Sequence, residues 1–351
     1  MRMAEFEYDL DPSRIAQDPA DPRDSARLLV DRGPDCEPHH LRVSDLPSLL
    51  GPGDVLVVNE TRVLAARLRL RKPTGGAVEV LLLRPDGAGG WEALVRRSRR
   101  VPPGTVLSGE TDPRLSVTVG ETLDEGRRSV TVSLGGDPVT TTAEATVLDG
   151  VGELPLPPYI GRSSAPESRY QTVYAARPGS VAAPTAGLHL TDELLVGVAA
   201  RGVDVCTVEL VVGLDTFRPV SVDDTSEHIM HTESYRVPPS TMARCTAAER
   251  VVAVGTTTVR ALESAALTGR LEGDTDLFVT RGHHWRVVDA MMTNFHMPRS
   301  TLLVMIDAFV GPRWRDLYDS ALAGDYRFLS FGDAMFLDRS LSAAASRSSR
   351  R

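Results

Sequence analysis

From about residue 68 to residue 154 the chain carries no helical periodicity of useful length. Short β-rich runs at 77–83, 91–95, 115–119 and 129–134 alternate there with Gly, Pro and Asp turns, the texture of a small all-β barrel or sandwich. The flanking sequence reads differently. Gly53-Asp54-Val55-Leu56-Val57-Val58-Asn59 is a turn feeding a strand that is apolar throughout, which requires a sheet covered on both faces. Beyond Tyr170 strands and helices alternate. Thr191 caps a helix closed by Gly202, and a strand follows over 203–212. A strand over 250–254 opens into a helix over 258–267, and Ser300 or Thr301 caps a helix that stops at Gly311-Pro312. A further short helix is expected over 13–17. The expectation is therefore an α/β main domain, with a mixed or parallel, barrel-like sheet, formed by residues 1–67 and 155–338. A small all-β barrel domain is inserted at 68–154, and a Ser/Ala/Arg-rich disordered tail occupies 339–351.

Composition excludes several classes. The 351 residues give room for one large domain or two ordinary ones. Lys72, between Arg71 and Pro73, is the only lysine, so the chain has no GK[ST] phosphate loop and no Schiff-base lysine in an apolar pocket. Cys36, Cys206 and Cys245 lie far apart with no CxxC, implying neither a disulfide framework nor a zinc ribbon. No apolar run approaches the roughly 18 residues of a membrane span. The first residues are acidic where a secretory signal is basic and then apolar; the expected location is the cytoplasm, with no membrane partner. Net charge is −8, which argues weakly against nucleic acid, but the charge is uneven. Between residues 62 and 100 there are ten basic residues against three acids. A solvated charged face explains this excess; a phosphate-tracking patch, densest at Arg96, Arg97, Arg99 and Arg100, is the sharper reading.

Polar side chains collect at the ends of the expected strands. Asn59 and Arg62 close the first apolar strand. Arg169-Tyr170-Gln171-Thr172-Val173-Tyr174 precedes a run over 179–189 that holds Ala183, Pro184, Thr185, Gly187 and His189. Small residues around Pro and Gly before a helix allow close backbone approach to a ligand; an ordinary strand-to-helix loop accounts for the run equally well. Gly255-Thr256-Thr257-Thr258-Val259-Arg260 is a strand–turn–helix element whose amides and hydroxyls suit a carboxylate or a phosphate, with Arg260 as a clamp. His228, His231 and Glu233 have metal-like residue types, with His296 as a distant third imidazole. Their spacing is not that of a helical zinc site, so acid–base or hydrogen-bonding roles are preferred to a metal. Asp289, Asn294, His296 and Arg299 belong to one polar segment and Asp333 to another. Several such strand ends in one α/β domain argue for a shared pocket.

These residues also carry a resemblance. Ile15-Ala16-Gln17, Arg23-Asp24, Arg27-Leu28-Leu29-Val30, the 53–59 strand and Arg169 through Ala175 are part of it. The runs 179–189, 216–220, 255–264, 293–303 and 326–335, with His228, His231 and Glu233, complete it. From about Phe6 to Leu337 the chain resembles the S-adenosylmethionine:tRNA ribosyltransferase-isomerases of queuosine biosynthesis. The resemblance implies an α/β domain with an inserted β-barrel. It implies S-adenosylmethionine consumed as a ribosyl donor, with no permanently bound cofactor and no metal. The implied acceptor is the aminomethyl group of preQ1, a 7-deazaguanine at the wobble position of a tRNA. The ribosyl unit becomes an epoxycyclopentanediol, giving epoxyqueuosine-tRNA, while adenine and methionine leave. The partners of the chain, expected as a monomer, are then S-adenosylmethionine and preQ1-containing tRNA.

Chemistry of that kind needs a base beside the C5′–H that the sulfonium acidifies, and an acid that helps adenine depart. On the resemblance, His189, His231 and His296 are the candidates, with Glu233 orienting one of them. Gly255, Thr256, Thr257 and Arg260 would hold an anion such as the methionine carboxylate. Asp289, Asn294 and Asp333 would take adenine or the ribose hydroxyls. Asn59, Arg62, Arg169, Tyr170, Gln171, Ala183, Pro184, Thr185, Gly187, His228 and Arg299 would complete the substrate contacts, with Arg96, Arg97, Arg99 and Arg100 on the nucleic acid. The chain also departs from the family pattern. Val211 stands for a His, Asp215 for a residue without a side chain, Glu60 for Asp, Ala65 and Arg281 for Pro, and Phe331 for Tyr. These changes keep two other readings open: a paralogue using S-adenosylmethionine on a small-molecule acceptor in specialised metabolism, and a non-catalytic tRNA- or nucleoside-binding relative.

Overall fold

A computed structural model describes residues 1–339 apart from Asp35, Arg97, Arg162, residues 214–219 and Ser221. The tail expected at 339–351, save Arg339, lies outside the described residues, as do Arg97 and Asp215. In chain order the strands begin with β1 (Arg27–Val30), β2 (His39–Arg42), β3 (Asp54–Asn59), β4 (Thr61–Val63), β5 (Arg67–Arg71) and β6 (Ala77–Pro85). Next come β7 (Trp91–Val95), β8 (Val106–Gly109), β9 (Leu115–Thr122), β10 (Arg128–Leu134), β11 (Asp137–Pro138) and β12 (Arg177–Ser180). The last six are β13 (Asp204–Leu210), β14 (Glu233–Arg236), β15 (Arg250–Val254), β16 (Glu272–Thr275), β17 (Ala290–Asn294) and β18 (Ala334–Asp338). The α-helices are α1 (Asp192–Ala200), α2 (Pro239–Ala247), α3 (Thr256–Thr268), α4 (Thr301–Val310) and α5 (Trp314–Ala323).

The chain divides into two compact units, one of Met1–Glu60, Pro157–Ala175 and Pro184–Arg351, the other of Thr61–Leu156 and Ala176–Ala183. The first is built on a nine-stranded mixed sheet of order β16-β14-β13-β3-β15-β17-β18-β1-β2. β13, β3, β15 and β17 are parallel, with Leu56 beside Val205 and Val252, and Val252 beside Ala290. β18 runs antiparallel to β17, which sets Ala334 opposite Asn294. β3 is buried at every position. Leu56 and Val58 share one core with Val252, Val254, Ala290 and Met292 and with Leu194 and Val198 of α1, while Val55, Val57, Val251, Ala253 and Met291 are buried on the opposite face. Two covered faces are why the sequence shows an apolar run and no alternation, each such side chain giving roughly 1.5–3 kcal/mol on burial.

Local signals set most helix ends. The Thr191 hydroxyl accepts from Leu194 N at 3.1 Å, with Asp192 and Glu193 in the first turn of α1. Ser300 caps α4 by accepting from Leu303 N at 3.2 Å. α3 starts two residues before the expected position. Gly255, at a φ of 87°, turns the chain from β15 straight into the helix, a conformation that favours glycine. The helix expected over 13–17 does not form. Asp11 caps a single 3-10 turn at Pro12–Arg14, accepting from Ser13 N at 2.8 Å, and Ile15 then bridges to Phe328.

In the second unit β5, β6, β7, β10, β9 and β8 close into a six-stranded antiparallel barrel, and β11 adds to β10. Closure leaves no unpaired sheet edge among the six. Alternating residues fill the interior, with Trp91 fully buried and its indole donating to Val139 O at 2.7 Å. β5 and β8, which complete the ring, have no counterpart among the expected strands; Arg-Leu-Arg-Leu-Arg in β5 alternates but carries three charges. Ala176–Ala183 joins this unit through β12, which pairs in parallel with β4.

Candidate active site

β3, β13, β15 and β17 end at Asn59, Leu210, Val254 and Asn294 on one edge of the main sheet, and β14 and β18 begin there. Ligands in α/β folds bind in the crevice outside such carboxyl ends. Asn59 is fully buried and stitches the edge together. It donates to Leu210 O at 3.0 Å and to Thr257 Oγ1 at 3.3 Å, and accepts from Leu210 N at 3.2 Å. Gly255 N donates to Met292 O at 2.8 Å. A Cβ on Gly255 would lie 3.4 Å from Ala186 Cβ, so the 3-10 turn Thr185–His189 sits against the start of α3. Thr256 and Thr257 are buried beneath it.

Asn294 is the hub of this edge. Thr185 Oγ1 donates to its Oδ1 at 3.0 Å, which turns its Nδ2 toward His189 Nε2 at 3.1 Å. That nitrogen must accept, so the contact needs a neutral imidazole. Burial, aided by the positive Arg327 and Arg23, pushes the His189 pKa down to about 4. Arg23 also donates to Leu188 O at 3.0 Å and holds the turn in place. His296 follows two residues after Asn294, with Nε2 3.0 Å from Thr293 Oγ1. Its backbone is clamped on both sides: N donates to the Tyr318 hydroxyl at 2.9 Å, and the Tyr8 hydroxyl donates to O at 2.5 Å. Burial pushes its pKa down to about 3. At neutral pH both rings are uncharged, the form that accepts a proton.

Beside them opens a cleft lined by Thr185, Asn294, His296, Phe295, Met297, Ser300, Leu302, Leu329 and the hydrogen-bonded pair Tyr159–Ser330 (2.7 Å). Leu329 holds a φ of 68° and Arg299, next to Ser300, a φ of 54°. Left-handed backbone at residues other than glycine costs of order 1–3 kcal/mol and clusters at ligand sites.

Several expected site residues are engaged elsewhere. Arg260 does not face an open anion site. Its guanidinium donates to Glu233 Oε2, to Leu277 O at 3.1 Å and to Thr275 O at 3.4 Å, and burial pulls its pKa down to about 10. The other oxygen of Glu233, Oε1, accepts from Gly213 N at 3.0 Å. The buried pair ties β14 and the loop carrying Val211 to α3. Asp289 precedes β17 and so stands at the opposite edge from Asn294, accepting from Val251 N at 3.0 Å and from Arg339 at 3.3 Å. Asp333 is at the right edge, but its oxygens accept from Arg27 N at 2.9 Å and Arg327 N at 2.8 Å, fixing the loop that enters β18.

The remaining expected positions are not among the residues that line this cleft. Arg169 bonds Asp21 at 3.0 Å and Ala20 O, and Tyr170 packs edge-on against Phe331 at 5.9 Å. Gln171 is half-buried, while Pro184 and Gly187 are buried in the turn. A Cβ on Gly187 would fall 1.9 Å from the Tyr174 hydroxyl. His228 stacks edge-on against Phe278 at 5.5 Å, and His231 is exposed on the same loop. Arg299 faces Glu7 at 3.9 Å and Asp223 at 3.6 Å. Tyr159, Phe295, Met297 and Leu329 carry no chemical signature in the sequence, and only the fold brings them to the cleft. Among the described residues no group of three His, Cys, Asp or Glu is arranged to hold a metal ion, and no helix is long and apolar enough to cross a membrane.

In the barrel unit, Ala183 is buried and four of the basic side chains form local ion pairs. Arg62 pairs with Asp149 at 2.5 Å, Arg69 with Glu153 at 2.5 Å, Arg71 with Glu110 and Arg84 with Glu92 at 2.8 Å. Among the described residues Arg96, Arg99 and Arg100 are exposed and make no ion pair. These three exposed side chains lie together at the turn after β7.

Residues 3–337 match the family described as queuosine biosynthesis protein. A Rubrobacter xylanophilus protein named S-adenosylmethionine:tRNA ribosyltransferase-isomerase is 49% identical over 338 residues, covering 96% of this chain and 98% of its own length. A Thermus thermophilus protein of the same name is 48% identical over 349 residues, covering 95% and 98%. A crystal structure of S-adenosylmethionine tRNA ribosyltransferase from Thermotoga maritima is similar with a TM-score of 0.53 and 32% identity, over 95% of this chain and 99% of that one. The chain, with its α/β domain and small closed barrel, belongs to the queuosine biosynthesis protein family.

Proposed function

We propose that this protein transfers and isomerises the ribosyl unit of S-adenosylmethionine onto the aminomethyl group of preQ1 in tRNA, releasing adenine and methionine. The near-full-length likeness to enzymes of that name carries the reading. The carboxyl-edge cleft supports it, because it joins a neutral imidazole to hydrogen-bonding groups in a largely apolar pocket. His296 lines the cleft and is the base that takes the C5′ proton; its low basicity means that the proton is held only transiently. His189 is a positioning residue that acts through Asn294. Once it has taken that proton His296 is an imidazolium and can hand it to the departing adenine, with His231 on the exposed loop the other expected candidate for the acid. The unpaired Arg96, Arg99 and Arg100 suit the tRNA backbone.

The test is incubation with ribose-labelled S-adenosylmethionine and preQ1-containing tRNA. Label in the tRNA, with one adenine released per label, is expected. Adenine release only with a small acceptor identifies the paralogue reading, and saturable binding without release identifies a non-catalytic relative.

A further inference from the structure

We infer that the cleft beside Asn294 is an adenine pocket, in which the Asn294 amide reads the N6/N7 edge of the purine. The inference rests on the ribosyl-transfer reading and assigns one part of the donor to one place. Among the described residues, no side chain lining the cleft carries a charge at neutral pH, since His296, the only titratable group among them besides the Tyr159 phenol, is held neutral by burial. A methionine carboxylate, an ammonium or a phosphate would be desolvated there without a partner. An uncharged planar heterocycle meets no such penalty, and Phe295, Met297 and Leu329 offer it an apolar surface.

The polar edge sets which heterocycle fits. An amide presents one donor and one acceptor side by side, the complement of an adenine N7 acceptor and N6 donor. Each half of the Asn294 amide has capacity left. Oδ1 takes one hydrogen bond, from Thr185, and Nδ2 gives one, to His189; the carbonyl has a second lone pair and the amide a second N–H. A guanine or hypoxanthine edge presents two acceptors, and a 7-deazapurine lacks N7, so the acceptor base preQ1 is excluded from this subsite by its own ring.

Calorimetric titration of the full-length protein tests the assignment. Adenosine is expected to bind saturably, with inosine and 7-deazaadenosine at least about tenfold weaker, because each leaves a buried amide group unpaired. Asn294→Asp is expected to lose adenosine binding by a similar factor, and Thr185→Val, which frees the amide to turn over, to narrow the adenosine–inosine ratio. Equal binding of adenosine and 7-deazaadenosine to the wild type would overturn the inference, as would undiminished adenosine binding by a folded Asn294→Asp. S-adenosylmethionine is titrated in parallel. If it binds with no dependence on Asn294, the pocket assignment fails and the ribosyl-transfer reading stands; if it does not bind at all, both fail.

Discussion

The Nδ2 of Asn294 and the Nε2 of His189 lie 3.1 Å apart, joining the end of β17 to the turn that covers α3. The hydrogen bond exists only while the imidazole is neutral, and it places geometry, burial and protonation state in a single requirement. His296, whose backbone is clamped between Tyr8 and Tyr318, is kept neutral by burial.

Acid should therefore loosen this edge. His189 and His296 have pKa values pushed down to about 4 and about 3, against roughly 6.5 when unfolded. Below pH 6.5 the unfolded chain binds protons that the folded one refuses, so stability falls as pH drops through that window and is unpenalised above it. Between about pH 7.5 and about pH 5.0 each imidazole contributes a loss of about 2 kcal/mol by this linkage. Urea unfolding at both pH values, with wild type and His296→Gln, measures it. The variant should show a pH dependence smaller by about 2 kcal/mol; identical slopes would contradict the assignment.

Gly187 is required for the Tyr174 ring. Gly187→Ala puts a methyl 1.9 Å from a buried hydroxyl that has no hydrogen-bond partner among the described residues, and should cost about 1–3 kcal/mol. Tyr174→Phe removes that unsatisfied group and should be nearly neutral alone. In the double variant part of the loss should return, a coupling that a thermodynamic cycle reads directly.

The Glu233–Arg260 pair should behave as a buried ion pair. Arg260→Met removes the guanidinium that balances the buried Glu233 carboxylate and is expected to destabilise by about 3–5 kcal/mol. Adding Glu233→Gln should recover much of that loss, measured by denaturant unfolding. Were Arg260 a substrate clamp instead, the single variant would keep its stability and lose only ligand affinity.

Charge at the turn after β7 should appear in salt dependence. Replacing Arg96, Arg99 and Arg100 together by Gln should weaken tRNA binding and lower the slope of log affinity against log salt by about 0.7–0.9 for each phosphate that these side chains neutralise. S-adenosylmethionine binding should not change.

Much of the fold is legible in the sequence where a single physical cause dominates. The apolar run over 54–59 implies a doubly covered sheet, and Thr191 and Ser300 announce their helices through capping. β5 and β8 are not legible, because barrel closure, not local pattern, makes Arg67–Arg71 and Val106–Gly109 strands. At the site, Asn294, Thr185 and His296 are candidates on residue type alone. Asp289 and Arg260 are candidates on the same grounds, yet one stands at the far edge and the other meets Glu233. Residue type does not say which end of a strand a carboxylate occupies or which partner a guanidinium finds. Tyr159 gives no advance signal, and Leu329 lies in a run that carries the resemblance without a polar group of its own, since the cleft takes their shape and not their chemistry.

Everything in the catalytic account depends on a hydrogen leaving the carbon next to the sulfonium under the influence of His296. S-adenosylmethionine deuterated at C5′, incubated with the protein and preQ1-containing tRNA, measures that event as deuterium released to water. Wild type should release it in step with adenine, and His296→Gln should bind the donor yet release deuterium at least about a hundredfold more slowly. Deuterium loss at the wild-type rate from His296→Gln would contradict the account.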